Sequence, residues 1–99
     1  MRPIHVAQLD KARPVLVLTR EVVRPYLTRV SVAPITTTIR GLSTEVAVGR
    51  ANGLVQDSVV SCDDIVTLPT STLGRLVGHL LEEQEPGLAA AIRAAFDLA

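Results

Sequence analysis

Residues 13–19 read Arg13-Pro14-Val15-Leu16-Val17-Leu18-Thr19. A continuous apolar run of this length is the pattern of a central strand, and Pro14 opens it at a position where a missing N–H donor is tolerated. Working outward, Ile4 to Leu9 forms a preceding strand, joined through the short connection Asp10-Lys11-Ala12. Glu21 to Leu27, with Arg24-Pro25, reads as a loop or helical turn. Val30 and Val32 then alternate with Arg29, Ser31 and Ala33, as in a half-buried strand. Pro34 interrupts that strand and predicts an edge or a bulge there. Thr44 to Val48 alternates again, Gly49-Arg50-Ala51-Asn52-Gly53 is a loop, and Ser58–Cys62 and Ile65–Leu68 are two further short strands. The segment from Leu73 to Leu81 fits both periods: Leu73, Val77 and Leu81 have helical spacing, while Leu76, Gly78 and Leu80 alternate. Glu82, Glu83 and Glu85 precede Pro86, a helix start that suits both the dipole and the proline. Leu88, Ile92 and Phe96 recur every four residues with Ala91 and Ala95 beside them, which predicts a C-terminal helix with one apolar stripe. Many short strands followed by one helix predict a mainly β protein, a small barrel or rolled sheet with the helix packed on it.

The 99 residues fit one domain, residues 1–99. Apolar residues make up 47% and aromatics 2%, so the core is built from Val, Leu, Ile and Ala. Net charge is zero, yet the halves differ. Residues 1–50 carry eight Lys or Arg against Asp10, Glu21 and Glu45, whereas residues 51–99 carry Arg75 and Arg93 against seven acids. The halves therefore hold +5 and −5, which points to a polyanion-binding surface on one side unless they interleave in space. Nine of the ten cations are Arg, the side chain best suited to bidentate phosphate contacts. Cys62 is the single cysteine, so no internal disulfide forms and a reducing cytoplasm fits. Its neighbours Val59, Val60 and Ser61 mark it as a small core residue. There is no signal-peptide core, and no apolar run approaches a membrane span.

The chemistry-bearing residues are few. His5, His79 and Cys62 are scattered and Asp63-Asp64 is an isolated acidic pair, so no metal-ligand spacing and no cofactor motif is present. No nucleophile elbow or phosphate-binding glycine loop occurs. Arg13 and the run Thr36-Thr37-Thr38 with Arg40 remain. Read blandly, they are a strand-end charge, a solvated strand face and a turn charge. Read chemically, Arg supplies a permanent forked cation and Thr a short adaptable donor, the combination that stabilises charge on a transferring phosphoryl group.

In order along the chain, Arg2-Pro3-Ile4, Ala12-Arg13-Pro14-Val15-Leu16-Val17-Leu18, Val32-Ala33-Pro34-Ile35-Thr36-Thr37-Thr38-Ile39-Arg40-Gly41, Glu45-Val46, Gly53-Leu54, Asp57-Ser58-Val59-Val60, Leu73-Gly74-Arg75-Leu76 and the closing helix resemble the MazF/PemK family of toxin endoribonucleases. The proportions are similar to its short-loop mycobacterial members. The resemblance implies an SH3-like β-barrel of the MazF/CcdB type, paired as a homodimer. It implies the toxin of a type II toxin–antitoxin system, an mRNA interferase that cuts single-stranded RNA at a short sequence without ribosome or metal. It implies 2′,3′-cyclic phosphate and 5′-hydroxyl ends, a cytoplasmic location, no membrane, and a MazE-like antitoxin partner. By the family's motifs Arg13 and Thr36 are the catalytic pair; Lys11, Thr37, Thr38 and Arg40 are expected to contact RNA beside them. On this reading a bulge at Pro34 turns Thr36 toward the groove, and Thr38 and Arg40 follow at two-residue intervals on the same side. His5 is the one titrating substitute for a proton carrier.

Three differences from the family pattern stand out. The first loop is only Asp10-Lys11-Ala12, where many relatives have a long glycine-containing flap. Ile65-Val66-Thr67-Leu68-Pro69 lacks the arginine of the family's I-R-T-I-D segment. Tyr26 is the only candidate base-stacking platform. Two rival functions follow: a non-enzymatic CcdB-like gyrase poison on the same barrel, and a catalytically inactive relative that retains antitoxin binding.

Overall fold

Val15, Leu16 and Val17 are each at most 1% exposed, which requires cover on both faces of their strand. The computed structural model, which describes all 99 residues, supplies that cover. The strands are β1 (Pro3–Gln8), β2 (Ala12–Val17), β3 (Arg29–Thr36), β4 (Glu45–Val48), β5 (Ser58–Ser61), β6 (Val66–Pro69) and β7 (Leu73–His79), followed by the helix α1 (Glu85–Ala95). Every strand pairing is antiparallel. The order is β4-β5-β3-β2-β1-β7, with β6 also beside β3. β4 and β7 are the two ends of this path, and the sheet does not close by hydrogen bonds between them.

Alternation along the central strands sends side chains into two separate clusters. Ile4, Leu16, Ala33, Ile35, Val46, Val60 and Cys62 lie under Leu88 and Ala91 of α1. Val15, Val17, Val30 and Val32 gather with Ala7 on the other face, where Leu9, Leu68 and Leu73 close over them. Cys62 lies in a 3-10 turn just past β5, with its thiol in the first cluster, as its apolar neighbours predict.

Pro34 does not bulge its strand. β3 stays in register with β2 through Val15↔Pro34, Leu16↔Ala33 and Val17↔Val32, so the expected bulge is absent. The interruption is on the opposite side. β6 pairs with residues 29–32 of β3, and β5 pairs with residues 35 and 36. Leu18 N–H donates to the Ser31 carbonyl at 2.8 Å, so 31 and 33 are the residues that bond toward β2, and the nitrogen of Pro34 faces the other edge. Its missing donor therefore falls in the gap where β3 passes from one partner to the next. A proline is tolerated inside a central strand because no neighbour needs its N–H.

The ambiguous segment resolves as strand β7, and its pairing with β1 contains two register shifts. β7 crosses the Gly49–Gly53 turn at close range. A Cβ on Gly78 would lie 2.0 Å from the Asn52 carbonyl oxygen, and one on Gly53, at φ +87, would lie 2.2 Å from that of Val77. Buried Asn52 ties the same corner: its Nδ2 donates to the His79 carbonyl at 2.9 Å and to Gln84 Oε1 at 2.7 Å. The helix starts with Pro86 in its first turn, as predicted, but ends at Ala95. Phe96, expected on the apolar stripe, lies beyond the helix and is 56% exposed. Leu88, Ala91 and Ile92 do the packing. No helix is long and apolar enough to cross a membrane.

Gly78→Ala is expected to lower folding stability by about 3 kcal/mol, because a methyl must displace backbone rather than a flexible side chain. Urea denaturation compared with wild type measures it.

Candidate active site

The register of β2 with β3 places the first two functional side chains. Residue numbers in that ladder pair as 15 with 34 and 17 with 32, and the same register carried on by two residues sets Arg13 opposite Thr36. Residues directly opposite in an antiparallel pair have Cβ atoms about 4.5–5.5 Å apart, closest where the backbones are not bonded to each other. The pairs 15↔34 and 17↔32 are of this non-bonded kind, since 31 and 33 make the bonds. Arg13 and Thr36 thus emerge on one face at the end of the β2–β3 ladder. Both line a cleft of about 440 Å³.

Each carries donors not consumed by the protein. Arg13 Nη2 donates to Asp10 Oδ2 at 3.1 Å, and the other oxygen of Asp10 accepts the Lys11 N–H at 2.9 Å. One carboxylate therefore closes the short β1–β2 turn and aims the guanidinium. The side chain of Arg13 is only 22% exposed, and its Nε is buried with no acceptor. A desolvated, unpartnered N–H on a permanent cation favours an incoming anion. Thr36 Oγ1 accepts the Thr38 N–H at 3.1 Å, which occupies a lone pair and leaves its hydroxyl proton to donate.

Thr37, Thr38, Arg40 and Lys11 line the same cleft. The route differs from the expectation of a continued strand. β3 ends at Thr36, and residues 37–43 form a loop without strand pairing, so two-residue alternation does not place Thr38 and Arg40. The Glu45 carboxylate holds them instead, accepting the backbone N–H groups of Arg40, Gly41 and Leu42 at 3.2, 2.8 and 3.1 Å.

Glu45, Ser61, Asp63 and Asp64 also line the cleft and were not singled out as site residues from the sequence. They arrive because β5 pairs with β3 at Ile35 and Thr36 and with β4 at Glu45↔Ser61, so the end of β5, the turn after it and the start of β4 border the cleft. The Asp63-Asp64 pair was visible as an acidic dipeptide, but no local signal says which strand its neighbour joins. Both acids are held by hydroxyls: Thr44 donates to Asp63 at 2.6 Å and Ser61 to Asp64 at 2.9 Å. Lys11 and Arg40 form no ion pair. The cleft therefore offers two free cations, one half-buried guanidinium and a row of hydroxyls. That set can bind a phosphodiester and stabilise charge developing on its oxygens.

Other candidates fall away from this site. His5 Nδ1 lies 2.9 Å from the Gly74 carbonyl of β7 and does not line the cleft. Tyr26 is 85% exposed in the loop between β2 and β3 and is equally absent from the lining. Cys62 is flanked by two cleft residues, yet its own side chain turns into the core. Burial, and secondarily the charge of Asp63, push its thiol up to about 11. No three His, Cys, Asp or Glu side chains come together as a metal-binding group.

Residues 3–96 match the family described as PemK-like, MazF-like toxin of type II toxin-antitoxin system. The chain is 70% identical over 98 residues to Endoribonuclease MazF3 of Mycobacterium tuberculosis (strain ATCC 25618 / H37Rv), covering 99% of this chain and 95% of that protein. Among solved structures, Mycobacterium tuberculosis toxin MazF-mt6 superposes with a TM-score of 0.97 at 69% identity, over 99% of each chain. An endoribonuclease in complex with its cognate antitoxin, from Mycobacterial species, superposes with a TM-score of 0.87 at 26% identity, over 98% of this chain and 93% of that one.

The buried thiol gives a sign-definite pH effect. Its folded value of about 11 lies above the ordinary value of 9.0, so the stability it contributes is complete below pH 9.0 and is lost as pH rises toward 11. Cys62→Ser or Cys62→Ala is expected to flatten that part of the stability curve, read by urea melts between neutral and alkaline pH. A thiol reagent at pH 8 is expected to label wild type only after unfolding.

Proposed function

The chain belongs to the PemK-like, MazF-like toxin family of type II toxin–antitoxin systems, and from that premise we propose that it is a sequence-specific endoribonuclease acting on single-stranded RNA. The observation that carries this reading is the meeting of Arg13 and Thr36 over one polar cleft, from different strands. Proteins sharing its sequence at high identity are named endoribonucleases, in accord with this chemistry.

The reaction is an internal transesterification. The ribose 2′-oxygen attacks its own 3′-phosphorus, the bond from phosphorus to the 5′-oxygen breaks, the 2′-proton leaves, and a proton is delivered to the departing 5′-oxygen. The products are a 2′,3′-cyclic phosphate and a 5′-hydroxyl. DNA lacks the attacking group, so RNA is the only substrate of this step. Arg13 neutralises charge on the phosphoryl oxygens through its guanidinium. Thr36 donates its hydroxyl proton to one of them. Lys11, Thr37, Thr38 and Arg40 hold the flanking backbone and orient the scissile linkage. No ribosome and no metal ion enters these roles.

The same proposal covers the assembly. Residues 1–99 act as one toxin domain of SH3-like barrel type in the cytoplasm, paired as a homodimer. The free edges of β4 and β7 supply unpaired backbone donors and acceptors for such contacts. The protein partner is a MazE-like antitoxin, which inhibits by filling the cleft that RNA needs. A relative of the same fold, solved in complex with its cognate antitoxin, supports that class of partner.

Purified protein mixed with a long RNA in EDTA is expected to give discrete cuts bearing cyclic phosphate. Arg13→Ala or Thr36→Ala is expected to lower the cleavage rate roughly 100- to 1000-fold, the usual effect of removing one preorganised donor. Intact RNA with stalled gyrase, or intact RNA with tight antitoxin binding, refutes the nuclease. Arg40→Ala is expected to weaken binding across sequences and reduce the slope of log K against log salt by about 0.7, measured by RNA titration at several salt concentrations.

A further inference from the structure

We infer that Glu45 is a positioning residue, the internal anion that folds residues 37–43 into the wall against which the RNA backbone lies. The inference rests on the endoribonuclease reading of this cleft and concerns a residue that has no part in the reaction itself.

The loop contains little else that could hold its shape. Thr38 N–H is bound by Thr36 Oγ1, and Glu45 N–H closes the turn onto the Leu42 carbonyl at 3.1 Å. The remaining hydrogen bonds of residues 37–43 all converge on the Glu45 side chain. Oε1 takes the N–H groups of Arg40, Gly41 and Leu42, and Oε2 shares that of Arg40 at 3.3 Å. Three successive amides wrapped on one anion form a nest. Gly41, at φ +73 with no atom near a virtual Cβ, supplies the backbone hand that makes the wrap possible, since nothing but conformation requires glycine there. Glu45 is itself fixed by strand pairing with Ser61, so the loop is referred to the sheet through one carboxylate.

Two consequences bear on the site. A carboxylate in a phosphate-binding cleft would repel substrate, but three N–H dipoles point at this one and offset part of its field, and it forms no ion pair with Arg40 or Lys11. Oε1 is filled by the loop's amides and Oε2 shares the Arg40 N–H, so most of the carboxylate's hydrogen bonding is directed at the loop. Its effect falls on where Thr37, Thr38 and Arg40 stand, while Arg13 and Thr36 are held by β2 and β3 independently.

The test compares wild type, Glu45→Gln and Gly41→Ala. The first substitution keeps size but removes the charge and turns part of the acceptor into a donor. The second leaves Glu45 intact and strains the wrap at a positive φ. Both are expected to speed amide exchange of Arg40, Gly41 and Leu42 roughly tenfold. Both are expected to raise KM for an RNA of about ten nucleotides roughly tenfold with kcat within about threefold, the scale of losing hydrogen bonds to charged groups. A minimal dinucleotide spanning only the scissile bond is expected to be cut equally by all three. Unchanged exchange at these amides, a loss confined to kcat, or an equal loss on the dinucleotide overturns the assignment. Should Glu45→Gln melt below the assay temperature, Gly41→Ala decides by the same criteria. If wild type cuts no RNA, the nuclease reading fails, while amide exchange still decides whether Glu45 holds the loop.

Discussion

Antiparallel pairing between β2 and β3 is the constraint from which the site follows. A strand ladder has a period of two, so a shift of one residue would send Arg13 to the opposite face from Thr36 and bury a cation in the core. That slip is blocked from both sides at once. Leu16 and Ala33 must reach the cluster beneath α1, while Val15, Val17 and Val32 must reach the other. Two cores on opposite faces of the same strands make the register over-determined, and the juxtaposition at the ladder's end is the geometric remainder.

Pro34 belongs to the same arrangement. It stands between the residues of β3 that serve β6 and those that serve β5. At that point the strand changes neighbours, and β5 brings its last residue, Ser61, and its trailing turn, with Asp63 and Asp64, to the cleft. The proline marks the handover without causing it by distortion. Its lack of a donor removes one competing bond at the place where neither partner is available to accept it.

The cleft keeps opposite charges near one another without letting them cancel. Asp10 is joined to Arg13, but its side chain is 72% exposed, and a pair so exposed contributes little to stability. Its effect is on placement: it holds one end of the guanidinium at the edge of the cleft that Arg13 lines. Asp63 and Asp64 are held by hydroxyls and Glu45 by backbone amides, so Lys11 and Arg40 stay unpaired. The dipolar charge along the chain is thus partly mixed at this site, with acids from both halves beside cations from the first.

The composition and period of the chain determined much by themselves. Six of the seven strands and the helix follow from alternation, from the apolar run at Val15–Leu18 and from the four-residue recurrence at Leu88 and Ile92, because burial and backbone period act locally; the seventh strand, at 73–79, fitted both periods. The motifs Arg13-Pro14-Val15 and Pro34-Ile35-Thr36 marked the residues that later meet. Three things were decided only in three dimensions. Pro34 is read locally as a break, yet a neighbour's absence makes it harmless. Phe96 keeps the helical spacing, yet the helix ends before it. Glu45, Ser61, Asp63 and Asp64 enter the cleft through the pairing of β5 with β3 and a nest closed on one carboxylate. The physical reason is the same in each case: a residue's own chemistry and period are written along the chain, whereas which distant backbone completes its hydrogen bonds depends on the assembled sheet.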